Sequence, residues 1–205
     1  IIRRILRLLT LNSMRDSASR SHLAITGPPG CGKTAATWVA AAGVHCNAIR
    51  DLGPEIEKDE IGSPRVPVAF VTAPAVRTAK QLFAQLNHFY DPHYSGNTSD
   101  LMARVLDRIY ECETSLVVID DAHALRRGSG GNEALADELK GFINMLPATL
   151  VLVGVSLEST VFSAVSSHDD DLAKQLEVRL ERHHVQKLSL QPTSNGGDST
   201  FTRFV

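Results

Sequence analysis

Lys33, Thr34, Asp120 and Asp121 are the side chains of this sequence whose types and settings suit a phosphate and its metal ion. The first two close the run Gly27-Pro28-Pro29-Gly30-Cys31-Gly32-Lys33-Thr34, which fits G-x-x-x-x-G-K-[ST] without a gap. Glycines let consecutive N–H groups turn inward around an anion with no Cβ in the way. A helix starting there aims its positive end at the same spot. Lys33 is then placed to reach β and γ phosphates, and Thr34 offers a hydroxyl to Mg²⁺. The whole cradle is expected to run from Gly27 to Ala35, with Cys31 in a variable slot and without a chemical task.

The second group ends the run Ser115-Leu116-Val117-Val118-Ile119-Asp120-Asp121. Four apolar residues predict a buried strand, and its carboxyl end is where sheets of this kind bind ligands. Asp120 is expected to orient Mg²⁺, and Asp121 to polarise an attacking water. Nucleotide hydrolases usually carry glutamate at that second place. Aspartate is one methylene shorter, and a misplacement of about 1 Å can cost roughly 10²-fold. Slow hydrolysis with a long-lived ATP state is the expectation.

Elements must position these groups. The segments 22–26, 66–73, 115–120, 149–154 and 184–190 read as strands, the middle ones apolar enough to be buried on both faces. Segments 33–43, 76–89, 99–113, 132–145 and 169–182 read as helices between them. Alternation of this kind predicts a three-layer αβα fold around a five-stranded, mainly parallel sheet. The stretch from Lys33 to Asp120 leaves room for a helix, a strand and two more helices, the layout of ring- or filament-forming ATPases. Segments 51–67, 91–97 and 191–199 read as loops, the last as a hinge or linker, and 166–171 as a solvated turn capping the next helix. Residues 1–20 are expected to form an amphipathic helix docked on the core domain 21–190, followed by a linker and a truncated helical lid at 191–205. Ile1, Ile5, Leu8 and Leu9 make the apolar stripe of that helix, with Arg3, Arg4 and Arg7 off it; contact with a membrane surface is the lesser alternative.

Composition bounds the rest. The chain of 205 residues has 21 basic and 23 acidic residues, for a net charge of −2, so no global basicity advertises nucleic acid. Its three cysteines, Cys31, Cys46 and Cys112, lack CxxC spacing and point to a reducing compartment, with the cytoplasm as the expected location. No apolar run is long enough to span a bilayer. The sequence begins without Met and ends in FTRFV, which suggests a fragment with both ends missing.

Together GPPGCGKT, VAFVTAPAVRTAKQLFAQL, VVIDDAHAL, ELKGFINMLPATLVLVGV and QLEVRLERHHVQKLSL resemble the TniB/TnsC family of AAA+ ATPases that regulate DNA transposition. The likeness runs in order over roughly residues 1–190. It implies an ATP·Mg²⁺-dependent homo-oligomer, ring or filament, which assembles on DNA without strong sequence preference and recruits or activates a transposase. In that family a basic residue before the last strand reaches a neighbouring subunit's γ-phosphate. Arg179 matches best and Arg182 is second choice, while pairing with Glu177, Glu181 or the helix dipole is the plainer alternative for Arg179. Asp121 in place of glutamate, Val155 and Ser156 where a small polar sensor is usual, and the nearly absent lid depart from the pattern. A helicase-loader or replication-initiator ATPase shares the same motifs, and a nucleotide-gated signalling switch with little hydrolysis is the third reading.

Other residues are read more plainly. The loop at Arg126 and Arg127 is a solvated segment or a contact to a DNA backbone. Arg104, Arg108 and Lys140 read as surface charge. His123 relays nucleotide state from Asp121 or simply packs. His45, Cys46, His183 and His184 lack metal-ligand spacing. Trp38, Phe83, Phe89 and Phe142 fall on helical stripes and read as core.

Overall fold

The structure, a computed structural model, describes residues 1–56, 62–73, 78–124, 133–157 and 178–187. Five strands form one sheet: β1 (His22–Thr26), β4 (Val68–Thr72), β5 (Leu116–Asp120), β6 (Thr149–Gly154) and β7 (Leu180–His184). Their order across the sheet is β4-β5-β6-β1-β7, and every pairing is parallel. Between β1 and β4 a hairpin of two-residue strands, β2 (Glu55–Ile56) and β3 (Ser63–Pro64), pairs antiparallel inside the segment expected to be a plain loop.

Side-chain alternation along the strands divides the core in two. Ala24, Ala69, Val71, Val117, Ile119, Leu150 and Leu152 face one side, where they meet α3 (Ala79–Tyr90), α4 (Thr98–Glu111) and α5 (Glu133–Met145) through Phe83, Val105 and Phe142. Leu23, Ile25, Leu116, Val118, Val151 and Val153 face the other side and meet α1 (Ile2–Asn12) and α2 (Lys33–Leu52). Both faces are covered, so β1, β5 and β6 are buried at every position, as continuous apolar runs require. The arrangement is three-layered, αβα.

Helix starts follow local chemistry. Thr78 accepts a hydrogen bond from the Gln81 N–H at 3.2 Å, and Asn97 from the Asp100 N–H at 2.9 Å. Helix α2 runs past Gly43, where its end had been expected, and stops at Leu52, capped by Gly53 at φ 81°. One glycine in a helix interior weakens it only modestly, and the flanking alanines carry the turn through.

The last strand corrects the expectation of a strand at 184–190 preceded by a helix to 182. Helical backbone reaches Arg179, and β7 spans Leu180–His184, paired with β1 from His22↔Leu180 to Thr26↔His184. As an edge strand it buries only Leu180 well, so its polar sequence LERHH hides it from any search for apolar runs. Trp38 and Phe89 are also corrected: they are 56% and 41% exposed, with Trp38 stacked on Phe70, whereas Phe83 and Phe142 are fully buried. Lys140 is buried rather than on the surface. The segments at 126–127, 166–171 and 191–205 lie outside the described residues.

Among the described residues no helix is long and apolar enough to cross a membrane. The stripe of α1 is consumed internally, with Ile5 at 0% and Leu8 at 1% exposure. Leu8→Ala is therefore expected to cost about 2–4 kcal/mol by the lost transfer energy and the cavity left behind. Leu6→Ala, on the exposed side of the same helix, should cost under about 0.5 kcal/mol. Urea unfolding of the two variants checks the difference.

Candidate active site

Parallel strands deliver all their carboxyl ends to one edge, and the phosphate-loop residues lie there between β1 and α2. At Gly27 the backbone turns with φ 153°, and a Cβ would stand 2.2 Å from the Val185 carbonyl oxygen. That carbonyl belongs to the tail of β7, which is held because the Val185 N–H donates to Thr26 O at 2.8 Å. Only glycine fits. Gly32, at φ 81°, caps α2 in a left-handed conformation that frees the loop to close over the helix start. Lys33 folds back into this cradle, its Nζ donating to Gly27 O at 2.9 Å and Pro28 O at 2.7 Å, with Cys31 Sγ at 3.6 Å. The ammonium is thus held among loop atoms where an anion would sit, and it is 7% exposed at the residue level.

Two strands away, Asp120 ends β5. Its Oδ1 accepts from the Asp121 N–H at 2.9 Å and from Thr34 Oγ1 at 3.3 Å, which joins the start of α2 to the end of β5. Asp120 is 6% exposed. A hydroxyl and a carboxylate side by side are hard oxygen donors suited to Mg²⁺. Among the described residues no cluster of three or more His, Cys, Asp or Glu could hold a metal ion.

Asp121 follows at φ 54°, a strained setting for a non-glycine residue, and its side chain is turned outward, 57% exposed. His123 Nδ1 lies 3.8 Å from Asp121 Oδ1, beyond hydrogen-bond range, and this buried nitrogen has no partner among the described residues. At the end of β6, Val155 is half-buried and Ser156 carries φ 49°, while the Leu157 N–H donates to Thr26 Oγ1 at 3.3 Å. The structure thus gathers Gly27, Lys33, Thr34 and Asp120 at one sheet edge, with Asp121 exposed beside Asp120. It does not bring Arg179 there.

The family model described as "AAA domain" matches residues 15–160. This chain belongs to the AAA domain family. No curated protein matches it significantly. Among solved structures it is similar in fold to Cdc6p from Pyrobaculum aerophilum, at 13% identity and TM-score 0.51 over 88% of this chain and 43% of that one. It is similar also to a chain of Drosophila ORC bound to AT-rich DNA and Cdc6, at 11% identity and TM-score 0.52 over 92% of this chain and 28% of that one. The chain therefore spans less than half the length of either.

The AAA domain carries a second polar cluster at the opposite, amino edge of its sheet, and Arg179 belongs to it. Its Nε donates to Arg20 O at 2.8 Å, one terminal nitrogen to Asn144 Oδ1 at 2.7 Å and the other to Ser17 O at 3.0 Å. Burial lowers its pKa, partly opposed by Asp16. Asn12 adds bonds to Ser21 O at 2.7 Å and Thr149 Oγ1 at 2.9 Å. His22 is wholly buried beneath them: its Nδ1 accepts from the Leu150 N–H at 3.1 Å, and its Nε2 lies 3.5 Å from Arg179. Nothing in sequence spacing marks His22 or Asn144, because their partners are backbone groups far along the chain. A histidine opening an otherwise apolar strand is the one visible trace.

Burial, then Arg179 and Arg20, pushes the His22 pKa down to about 3. The folded state therefore holds His22 neutral while the unfolded chain takes up a proton near the usual value of about 6.5. Above that pH the imidazole costs nothing. Below it the unfolded state binds more protons, and stability falls by about 1.4 kcal/mol per pH unit until the folded pKa is reached. Urea unfolding of wild type and His22→Asn should diverge with this slope between pH 6 and pH 4, the variant being flatter; parallel curves would place a charged imidazole in the fold.

Proposed function

We propose that this AAA domain binds ATP with Mg²⁺, hydrolyses it slowly, and uses the nucleotide state to assemble on DNA as a homo-oligomer that recruits or activates a transposase. The observation that carries the nucleotide reading is the approach of Thr34 to Asp120 beside a lysine already seated in its loop. Transposition rests on the motif resemblance to TniB/TnsC proteins. DNA association has fold-level support from the likeness to an ORC chain whose structure includes AT-rich DNA.

In the proposed reaction a water oxygen bonds to the γ-phosphorus, the bond to the β–γ bridging oxygen breaks, and ADP and phosphate depart. Lys33 exchanges the Gly27 and Pro28 carbonyls for β and γ oxygens, a swap of neutral acceptors for charged ones that favours the loaded state. Thr34 and Asp120 would hold Mg²⁺, which when bound would neutralise charge on the phosphates. Asp121 orients the water from the rim. Arg179 stands at the far edge of its own sheet, so any contact with a γ-phosphate is made across a subunit boundary, after release from Ser17, Arg20 and Asn144.

A replication-initiator role is the second reading, favoured by the fold likeness to Cdc6p and ORC. Reconstitution separates the two: stimulation of a DDE-type transposase on target DNA supports the first, and loading of a replicative helicase the second. A chain that binds ATP but never turns it over, with or without duplex, would be a nucleotide-gated switch instead.

Lys33→Ala is expected to weaken ATP·Mg²⁺ binding by about 1.5–3 kcal/mol, the scale of lost charge-assisted bonds, as read by calorimetry. Absence of any ATP or ADP binding by folded wild-type protein would end the nucleotide reading.

Asp121→Glu should raise kcat by roughly 10- to 100-fold if reach limits the water-positioning step, while Asp121→Asn lowers it. Arg179→Ala should reduce turnover of the assembled protein by about 10³-fold. Unchanged turnover and unchanged assembly would assign Arg179 to the amino-edge cluster alone.

A further inference from the structure

Helix α1 places three arginines where local physics disfavours them. Arg3, Arg4 and Arg7 share a helix that carries no acidic residue between Ile2 and Asn12. Arg3 and Arg7 are an i,i+4 pair of like charges, which also destabilises an isolated helix. All three are exposed, and no salt bridge among the described residues includes them.

The helix packs against the sheet edge. Arg4 reaches the Arg182 carbonyl at 3.5 Å, and Val185 packs into the same apolar cluster as Ile1 and Ile5. On β7, Arg182 and His184 alternate onto the side of Leu180, away from α1, while Glu181 and His183 share the side of Val185, toward α1. The His183 pKa is lowered by burial first, and Arg4 adds to the shift. In a chain of net charge −2, such a concentration of cations is a local feature rather than a reflection of composition.

We propose that the exposed face of α1 that carries Arg3, Arg4 and Arg7 is a docking surface for the sugar-phosphate backbone of duplex DNA. The proposal deepens the DNA-associated reading above and rests on it. Arg3 and Arg7 are one helical turn apart, about 6 Å, close to two nucleotide rises of about 3.4 Å each along the duplex axis. Uncompensated arginines that cost helix stability are explained when a polyanion neutralises them. An anionic membrane would supply charge too, but membrane-surface helices bury an apolar face in lipid. Here that face is already spent on the core through Ile5 and Leu8.

The test uses the full chain with ATP and Mg²⁺, a fluorescein-labelled mixed-sequence duplex, and anisotropy across a salt titration. Replacing Arg3, Arg4 and Arg7 together by Gln should weaken duplex binding by about tenfold or more and make the log–log salt slope shallower by about 2–3, at −0.9 per phosphate contact. The double variant Arg3→Gln, Arg7→Gln, which leaves Arg4 in place, should show about two-thirds of that slope change. ATP affinity should stay at the wild-type value, and the melting temperature should hold or rise as the like-charge pair is removed. Duplex binding by wild type that the variants retain in full would overturn the surface and leave the DNA reading standing. No duplex binding by wild type would end both. Binding to phosphatidylserine vesicles that the substitutions abolish, with duplex binding intact, would assign the face to membranes and overturn the proposal.

Discussion

A hydroxyl on the first turn of α2 meets a carboxylate at the end of β5, and most of the molecule is arranged to bring them together. Thr34 and Asp120 are far apart in sequence, so their 3.3 Å approach depends on the sheet. Parallel strands put both chain ends on one edge, and the order β5-β6-β1 leaves one strand between them. Registers Ile119↔Leu152 and Ile25↔Val153 fix how far each strand protrudes. A slip by one residue would turn every side chain to the wrong face, which two buried faces forbid. The register that packs the core thus also sets the approach of Thr34 to Asp120.

That double burial explains what could be read from sequence. Strands β1 and β6 were legible to the residue, and β5 nearly so, because burial on both faces demands continuous apolar runs. Strand β7 was not, since an edge strand with one well-buried residue has no such requirement. Its place is decided by pairing with β1, a contact between distant segments that local composition does not encode. Trp38 shows the converse: its helical spacing suggests core, yet it caps Phe70 from a half-open flank.

The phosphate loop was legible because its backbone demands are severe and local. Gly27 has a carbonyl where its Cβ would be, and Lys33 follows at a fixed distance along a helix start. Asp121 was legible as a position, but its left-handed backbone was not, since only the turn after β5 imposes it. The amino-edge cluster was invisible. His22, Asn12 and Asn144 act through backbone partners and through one another, and no spacing rule connects them.

Arg179 joins the two edges in one energetic argument. In the isolated chain its guanidinium makes three hydrogen bonds that tie the segment after α1 to α5 and β7. Each is worth on the order of 1 kcal/mol net, and leaving their part-buried acceptors unpaired adds somewhat to the cost of release. A γ-phosphate offers two charge-assisted contacts in fixed fork geometry, which are stronger than bonds to neutral carbonyls. In the proposed oligomer that exchange would be favourable only while a neighbouring subunit held the triphosphate, and ADP would remove the acceptor. An arginine already satisfied at home would thereby make the proposed assembly conditional on the nucleotide.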